Sequence, residues 1–244
     1  MVRKNIYFIS DIHLGLLSDE EEYRRERLLV DLLYSIKDDA EALYIVGDLY
    51  DYWFEYRRVI QKQFFRTLTA IQDLVEAGVK VVYVIGNHDF LHRDLYRNVI
   101  GVELVDVSLK REYFGKRFYI AHGDDYVQND TGYRILKKIL RNRFMQGLFS
   151  LVHPDLGIYI AGGTSKKSRA YTNDKEYGEK DGLLASATGI INLGYDFVVF
   201  GHLHQRQYVK MGNGYYVNLG SWLEQPCYGV FNGHSFEIID WKGK

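Results

Sequence analysis

Three short runs of β-forming apolar residues, separated by two stretches of helical periodicity, leave this chain few folds to adopt. The runs are Asn5–Ser10 (NIYFIS), Ala42–Val46 (ALYIV) and Val79–Ile85 (VKVVYVI). Their unbroken apolar character fits strands buried on both faces. Between the first two runs, in Tyr23–Ile36, Leu28, Leu29, Leu32 and Leu33 recur at helical spacing. The acidic run Asp19–Glu22 precedes them, where a helix N-terminus favours negative charge. Between the second and third, in Val59–Ala77, Phe64, Leu68, Ile71 and Val75 repeat the pattern, and Gly78 follows as a C-terminal cap. Strand–helix–strand–helix–strand implies a parallel sheet.

The chain then changes character. Val102–Val107, Lys110–Phe114 and Arg117–Ala121 read as successive strands with a tight Gly115-Lys116 turn. The C-terminal part does likewise over Phe197–Phe200, Arg206–Met211, Tyr215–Leu219, Tyr228–Phe231 and Ser235–Ile239, with Asn213-Gly214 and Asn232-Gly233 as hairpin signals. The expected architecture is α/β, with two packed β-sheets flanked by helices, and the 244 residues suit one domain. Tyr126–Ala187 breaks the rhythm, and the expectation there is an inserted helical cap, 126–187, over the site.

Lys plus Arg total 31 against 32 for Asp plus Glu, a net charge of −1, so no nucleic-acid partner is expected. The single cysteine, Cys227, excludes internal disulfides and fits a reducing compartment. The N-terminus shows no secretory leader, and no apolar stretch approaches the roughly 18 residues that span a bilayer. The expected location is the cytoplasm.

Five polar motifs follow or close the apolar runs: Asp11-Ile12-His13, Gly47-Asp48-Leu49-Tyr50-Asp51, Gly86-Asn87-His88-Asp89, His122-Gly123-Asp124 and Gly201-His202-Leu203-His204. In an open α/β sheet the loops at strand ends converge, so these segments can deliver their side chains to one place. Imidazoles, carboxylates and one amide oxygen suit first-row divalent metals. Two such ions roughly 3.5–4 Å apart can share a water and clamp both oxygens of an in-line displacement at phosphorus.

These blocks resemble the calcineurin-like metallophosphoesterase superfamily from Asp11 to His204. The resemblance implies a four-layer sandwich and two divalent metals, Mn²⁺ foremost, with Fe or Zn²⁺ as alternatives. It implies that Asp11, His13, Asp48 and His204 hold one ion. Asp48, Asn87, His122 and His202 would hold the other, with Asp48 bridging. His88 would contact phosphate or protonate the leaving group, and Asp89 would orient His88.

Two segments are similar, more narrowly, to UDP-2,3-diacylglucosamine hydrolases of lipid A synthesis: Gly47–Phe54, which includes Trp53, and His122–Arg134, in which Asp130 and Tyr133 keep the spacing. That likeness implies a UDP-linked lipid as substrate, cut by a metal-bridging hydroxide. Another phosphoester is the alternative. The best-known branch of these hydrolases has Arg where this chain has His88, which follows the wider superfamily pattern.

In Arg134–Val152, apolar Ile135, Leu136, Ile139, Leu140 and Met145 share a helical repeat with Arg134, Lys137, Lys138, Arg141 and Arg143. Such a segment suits peripheral contact with the inner membrane face, or packs on the core with a solvated basic side. Thr164–Arg169, with Ser165, either grips phosphate or sugar or is a solvated charge run. His92 and Arg93 either touch substrate or lie on an exposed loop, and Trp222 and Trp241 read as packing residues.

Overall fold

A computed structural model describes residues 3–127, 137–160, 162–163 and 179–243. The expected substrate residues Asp130, Tyr133 and Ser165 lie outside the described residues, as do Thr164–Arg169 and the start of the basic segment. In chain order the strands are β1 (Asn5–Ile9), β2 (Ala40–Val46), β3 (Trp53–Phe54), β4 (Lys80–Val84), β5 (Asp89–Leu91), β6 (Glu103–Val105), β7 (Ser108–Tyr113), β8 (Lys116–Ala121), β9 (Phe197–Phe200), β10 (Gln207–Met211), β11 (Gly214–Asn218), β12 (Cys227–Phe231) and β13 (Phe236–Asp240). The longer helices are α1 (Asp19–Ile36), α2 (Phe65–Glu76), α3 (Arg143–Phe149) and α4 (Glu179–Asn192).

One sheet has the order β13-β12-β1-β2-β4-β6, the other β10-β11-β9-β8-β7. In the first, β1, β2, β4 and β6 are parallel, as the crossovers through α1 and α2 require. In the second, β8, β9 and β11 are parallel, with an antiparallel strand at each edge. Strand alternation sorts the core. Ile6, Phe8, Tyr44 and Val82 meet Phe118, Ile120, Phe197 and Val199 between the sheets. Tyr7, Ile9, Leu43, Ile45 and Tyr83 point the other way, into α1 and α2. The far face of the second sheet, Val198, Phe200 and Tyr216, is covered by Leu183, Ala187 and Ile191 of α4. The result is four layers: helices, sheet, sheet, helix.

Some boundaries differ from the sequence reading. The β7–β8 turn falls on Phe114-Gly115, both at positive φ, because Tyr113 pairs with Lys116. The β10–β11 turn falls on Gly212-Asn213, since Met211 pairs with Gly214. Leu183 and Ala187 lie within the span expected as a cap, yet both are fully buried in the sandwich.

β3 and β5 form a small parallel pair beside the main sheets. Glu55, which follows it, accepts from the backbone N–H groups of Arg93, Asp94 and Leu95 and so caps the helical turn that starts there. Within this corner His92 lies in the short loop after β5, but its ring packs inward and is not exposed. Its side chain is 3% exposed and ringed by Trp53, Tyr83 and Tyr96. Among the described residues neither ring nitrogen has a hydrogen-bond partner, Asp89 Oδ1 lying 3.9 Å from Nε2. Burial, reinforced by the charges of Arg141 and Arg97, drives its pKa down to about 3. In the unfolded chain the same ring titrates near 6.5. The folded state therefore holds His92 neutral, and the stability this contributes is complete above pH 6.5 and lost as pH falls toward 3. Replacing His92 with Phe, which cannot protonate, should reduce the acid sensitivity of unfolding by roughly 2 kcal/mol at about pH 5. Urea unfolding of both proteins from neutral pH downward measures this, and parallel pH curves would refute it.

Candidate metal centre

Each motif sits at the end of a strand or directly after one. Asp11 and His13 follow β1, Asp48 follows β2, and Asn87 and His88 follow β4. His122 follows β8, and His202 and His204 follow β9. The first sheet thus supplies the carboxylates, the amide and two imidazoles, and the second supplies three imidazoles. The structure brings all seven expected metal residues together.

They fall into two groups that share Asp48. In one, Nε2 of His13 and Nε2 of His204 are 3.1 Å apart, and both lie near Asp11 Oδ1, at 3.7 and 3.4 Å. In the other, Asn87 Oδ1 is 2.9 Å from both His122 Nε2 and His202 Nδ1. Asp48 Oδ2 lies 3.3 Å from His122 Nε2 and 4.0 Å from His13 Nε2, between the groups.

These atoms fit a cation. Val46 O is 2.9 Å from His122 Nδ1, so that nitrogen carries the proton and Nε2 turns a lone pair toward Asn87 Oδ1 and Asp48 Oδ2. Lone pairs so placed repel unless positive charge lies among them. Asp11 Oδ1 is buried and has no hydrogen-bond partner among the described residues, an atom whose desolvation calls for a ligand bond. The titration directions agree. Burial opposes charge on His122, but the Asp48 carboxylate overrides it and lifts the ring well above its ordinary range, so Nε2 draws positive charge, either a proton or a cation in its place. Burial also opposes charge on Asp11, yet His13 and His204 hold it well below the usual carboxylate range. Burial and the neighbouring His122 push His202 down to about 4, leaving it a neutral donor.

The backbone is strained where it delivers these groups. Asp11, His13, Asp48, His202 and His204 all have positive φ, at a cost of about 1–3 kcal/mol each. Bonds between the loops compensate. Asp11 N donates to Gly47 O, His13 N to Asp48 O, and Trp222 N to Asp11 O. The buried Arg25 guanidinium donates to the carbonyls of Ile12 and His13, and Asn218 Nδ2 to Gly201 O.

His88 and Asp89 have different surroundings from those expected. Asp51, not Asp89, holds the His88 ring: His88 Nδ1 is 2.7 Å from the Asp51 carbonyl oxygen. Asp89 instead accepts from Gly86 N, Asp48 N and the Tyr83 hydroxyl, at 2.8, 3.2 and 2.7 Å. Its pKa rises to about 6, through burial and the nearby Asp48 charge. Asp89 therefore fixes the two loops relative to each other. Trp53, expected against substrate, is 1% exposed and stacked on Tyr50, which makes it a core residue. Sequence reasoning missed Tyr83, Arg25 and Asn218. Asp51 stood in a motif without a role.

Gly86 has no room for a side chain: a Cβ there would overlap the Asp48 carboxylate and come within 2.7 Å of its backbone nitrogen. Gly86→Ala should displace Asp48, remove at least part of the bound metal and lower turnover by more than about 10²-fold. Metal content per chain, measured by mass spectrometry after dialysis, and turnover test this together. Full metal content at normal turnover would show that the loop yields instead.

Comparison with known proteins agrees with this geometry. The family model described as calcineurin-like phosphoesterase matches residues 4–206. A UDP-2,3-diacylglucosamine hydrolase of Porphyromonas gingivalis is 32% identical over 95% of both chains. Proteins of the same name match from Neisseria meningitidis serogroup B, 30% identical over 90% of each chain, and from Haemophilus influenzae, 26% identical over 90% of this chain and 91% of that one. The chain belongs to the calcineurin-like phosphoesterase family and is a metal-dependent phosphoester hydrolase.

Proposed function

We propose that this hydrolase cleaves the pyrophosphate of UDP-2,3-diacylglucosamine, releasing UMP and 2,3-diacylglucosamine 1-phosphate. The observation that carries the reading is the likeness to the Porphyromonas gingivalis hydrolase along 95% of both chains. Asp11, His13, Asp48 and His204 hold one divalent ion, and Asp48, Asn87, His122 and His202 the other, with Mn²⁺ as the expected metal. Ions bound there supply Lewis-acid charge to phosphoryl oxygens and lower the pKa of a coordinated water. The residues do the rest. The Val46 carbonyl keeps His122 in the tautomer that offers Nε2. The Asp51 carbonyl accepts from His88 Nδ1, so Nε2 is the atom that holds or releases a proton to the departing phosphate.

The outer segment 137–160, part of the 126–187 cap in this reading, supports a lipid substrate. Phe144, Leu148, Leu151 and Tyr159 stand out from it, at 72%, 47%, 83% and 80% exposure, beside exposed Lys138 and Arg143. An apolar surface with basic neighbours suits peripheral contact with an anionic membrane face. Among the described residues no helix is long and apolar enough to cross a membrane. His88 favours a second reading, another phosphoesterase of the family, because the best-known branch of these hydrolases carries Arg there.

Mn²⁺-loaded protein should release UMP from UDP-2,3-diacylglucosamine far faster than it cleaves bis-p-nitrophenyl phosphate. Asp48→Ala should abolish both activities. Cleavage of the diester without UMP release would favour the second reading.

A further inference from the structure

Arg141 has no carboxylate partner among the described residues and is held against the metal centre from outside the sandwich. Its Nη2 donates to the Gly86 carbonyl at 3.3 Å. Gly86 precedes Asn87, whose Oδ1 faces His122 and His202. Arg141 is half-buried and shares a small cleft with Asn87, Asp89 and Lys137. The neighbouring cation contrasts with it, because Lys137 Nζ is paired with Asp124 at 2.6 Å and Asp125 at 2.5 Å. Among the described residues no carboxylate lies within ion-pair distance of Arg141. Its one polar contact there is the Gly86 carbonyl, which occupies a single position of a five-donor fork.

The placement is built. Asn142 caps α3 by accepting from Phe144 N and Met145 N. Gln146 Nε2 then bonds Phe90 O at 2.9 Å, and Phe149 packs on Phe54 with ring centroids 4.8 Å apart. These contacts tie α3 to the segments that flank His88 on either side. The same loop thus sets the positions of Asn87, His88 and Arg141. A guanidinium with free donors beside a phosphoryl site is suited to bidentate contact with a second phosphoryl group.

We propose that Arg141 is a specificity-determining residue that grips the non-reacting phosphoryl group of a diphosphate substrate. The inference rests on the reading of the adjacent centre as the phosphoryl site. It explains how a chain with His88 selects a pyrophosphate over a simple diester, because the second phosphoryl meets its cation on the outer segment and not in the Gly86–Asp89 motif.

The test is titration calorimetry of the Mn²⁺-loaded protein at fixed free Mn²⁺. The ligands are inorganic phosphate and methylenediphosphonate, a diphosphate analogue that water does not cleave. The wild type should bind the diphosphonate more tightly than phosphate. Arg141→Gln should weaken the diphosphonate roughly tenfold and phosphate by no more than about twofold. Arg141→Lys should recover part of the difference, because it keeps the charge and loses the fork. Equal weakening of both ligands, no weakening, or loss of bound Mn²⁺ in both variants would each overturn the proposal, the last by making Arg141 a support for the Asn87 loop. A wild type that releases no UMP from UDP-2,3-diacylglucosamine would refute the substrate reading and leave this comparison of ligands intact.

Discussion

Everything around this centre answers to one constraint: several lone pairs and two buried carboxylates face the same small space with too few protons among them. Nε2 of His13 and His204, Oδ1 of Asn87, Nε2 of His122 and the carboxylates of Asp11 and Asp48 point inward. Asp11 Oδ1 is buried, and among the described residues no donor makes a hydrogen bond to it, the His204 and His13 nitrogens lying 3.4 and 3.7 Å away. Such an arrangement is unfavourable unless positive charge enters. The rest of the fold reads as a set of devices that keep these groups from relaxing apart.

The devices are layered. Stacked sheets bring strand ends from two parts of the chain to one edge. Positive φ at Asp11, His13, Asp48, His202 and His204 turns each side chain inward sharply. A second ring of buried polar groups locks the turns: Arg25 on the first motif, Asp89 with Tyr83 across the second and third, and Asn218 on the last. These bonds run mostly between loops, so the loops resist displacement as a unit.

How much of this was readable in the sequence depended on whether a residue's type alone dictates its place. The apolar runs became β1, β2 and β4 because only a buried strand accommodates them. The five motifs became the centre because polar residues at strand ends beside glycines have few other uses. Pairwise contacts were less legible. A carboxylate after Asn87-His88 reads the same whether it faces an imidazole or three backbone and hydroxyl donors, and Asp89 does the second. Trp53 lies in an aromatic block that resembles a substrate wall, yet β3 turns it into the core, where Tyr50 and His92 cover it. Tyr83 sits inside an apolar run and carries no sign of its bond to Asp89. Hairpin turns were displaced by one residue because register depends on cross-strand pairs as well as on glycine.

Because its inward-facing groups come from both sheets, the centre is also a fastening. Under the proposed assignment, one ion joins β1 and β2 to the loop after β9, and the other joins β2 and β4 to the loops after β8 and β9. A cation that binds only this arrangement adds its binding free energy to the stacking of the sheets. Chains made when metal is scarce would then be less firmly assembled as well as inactive, and more exposed to proteolysis. On that assignment, metal supply in the cell would govern how much of this enzyme persists, in addition to how fast each copy works.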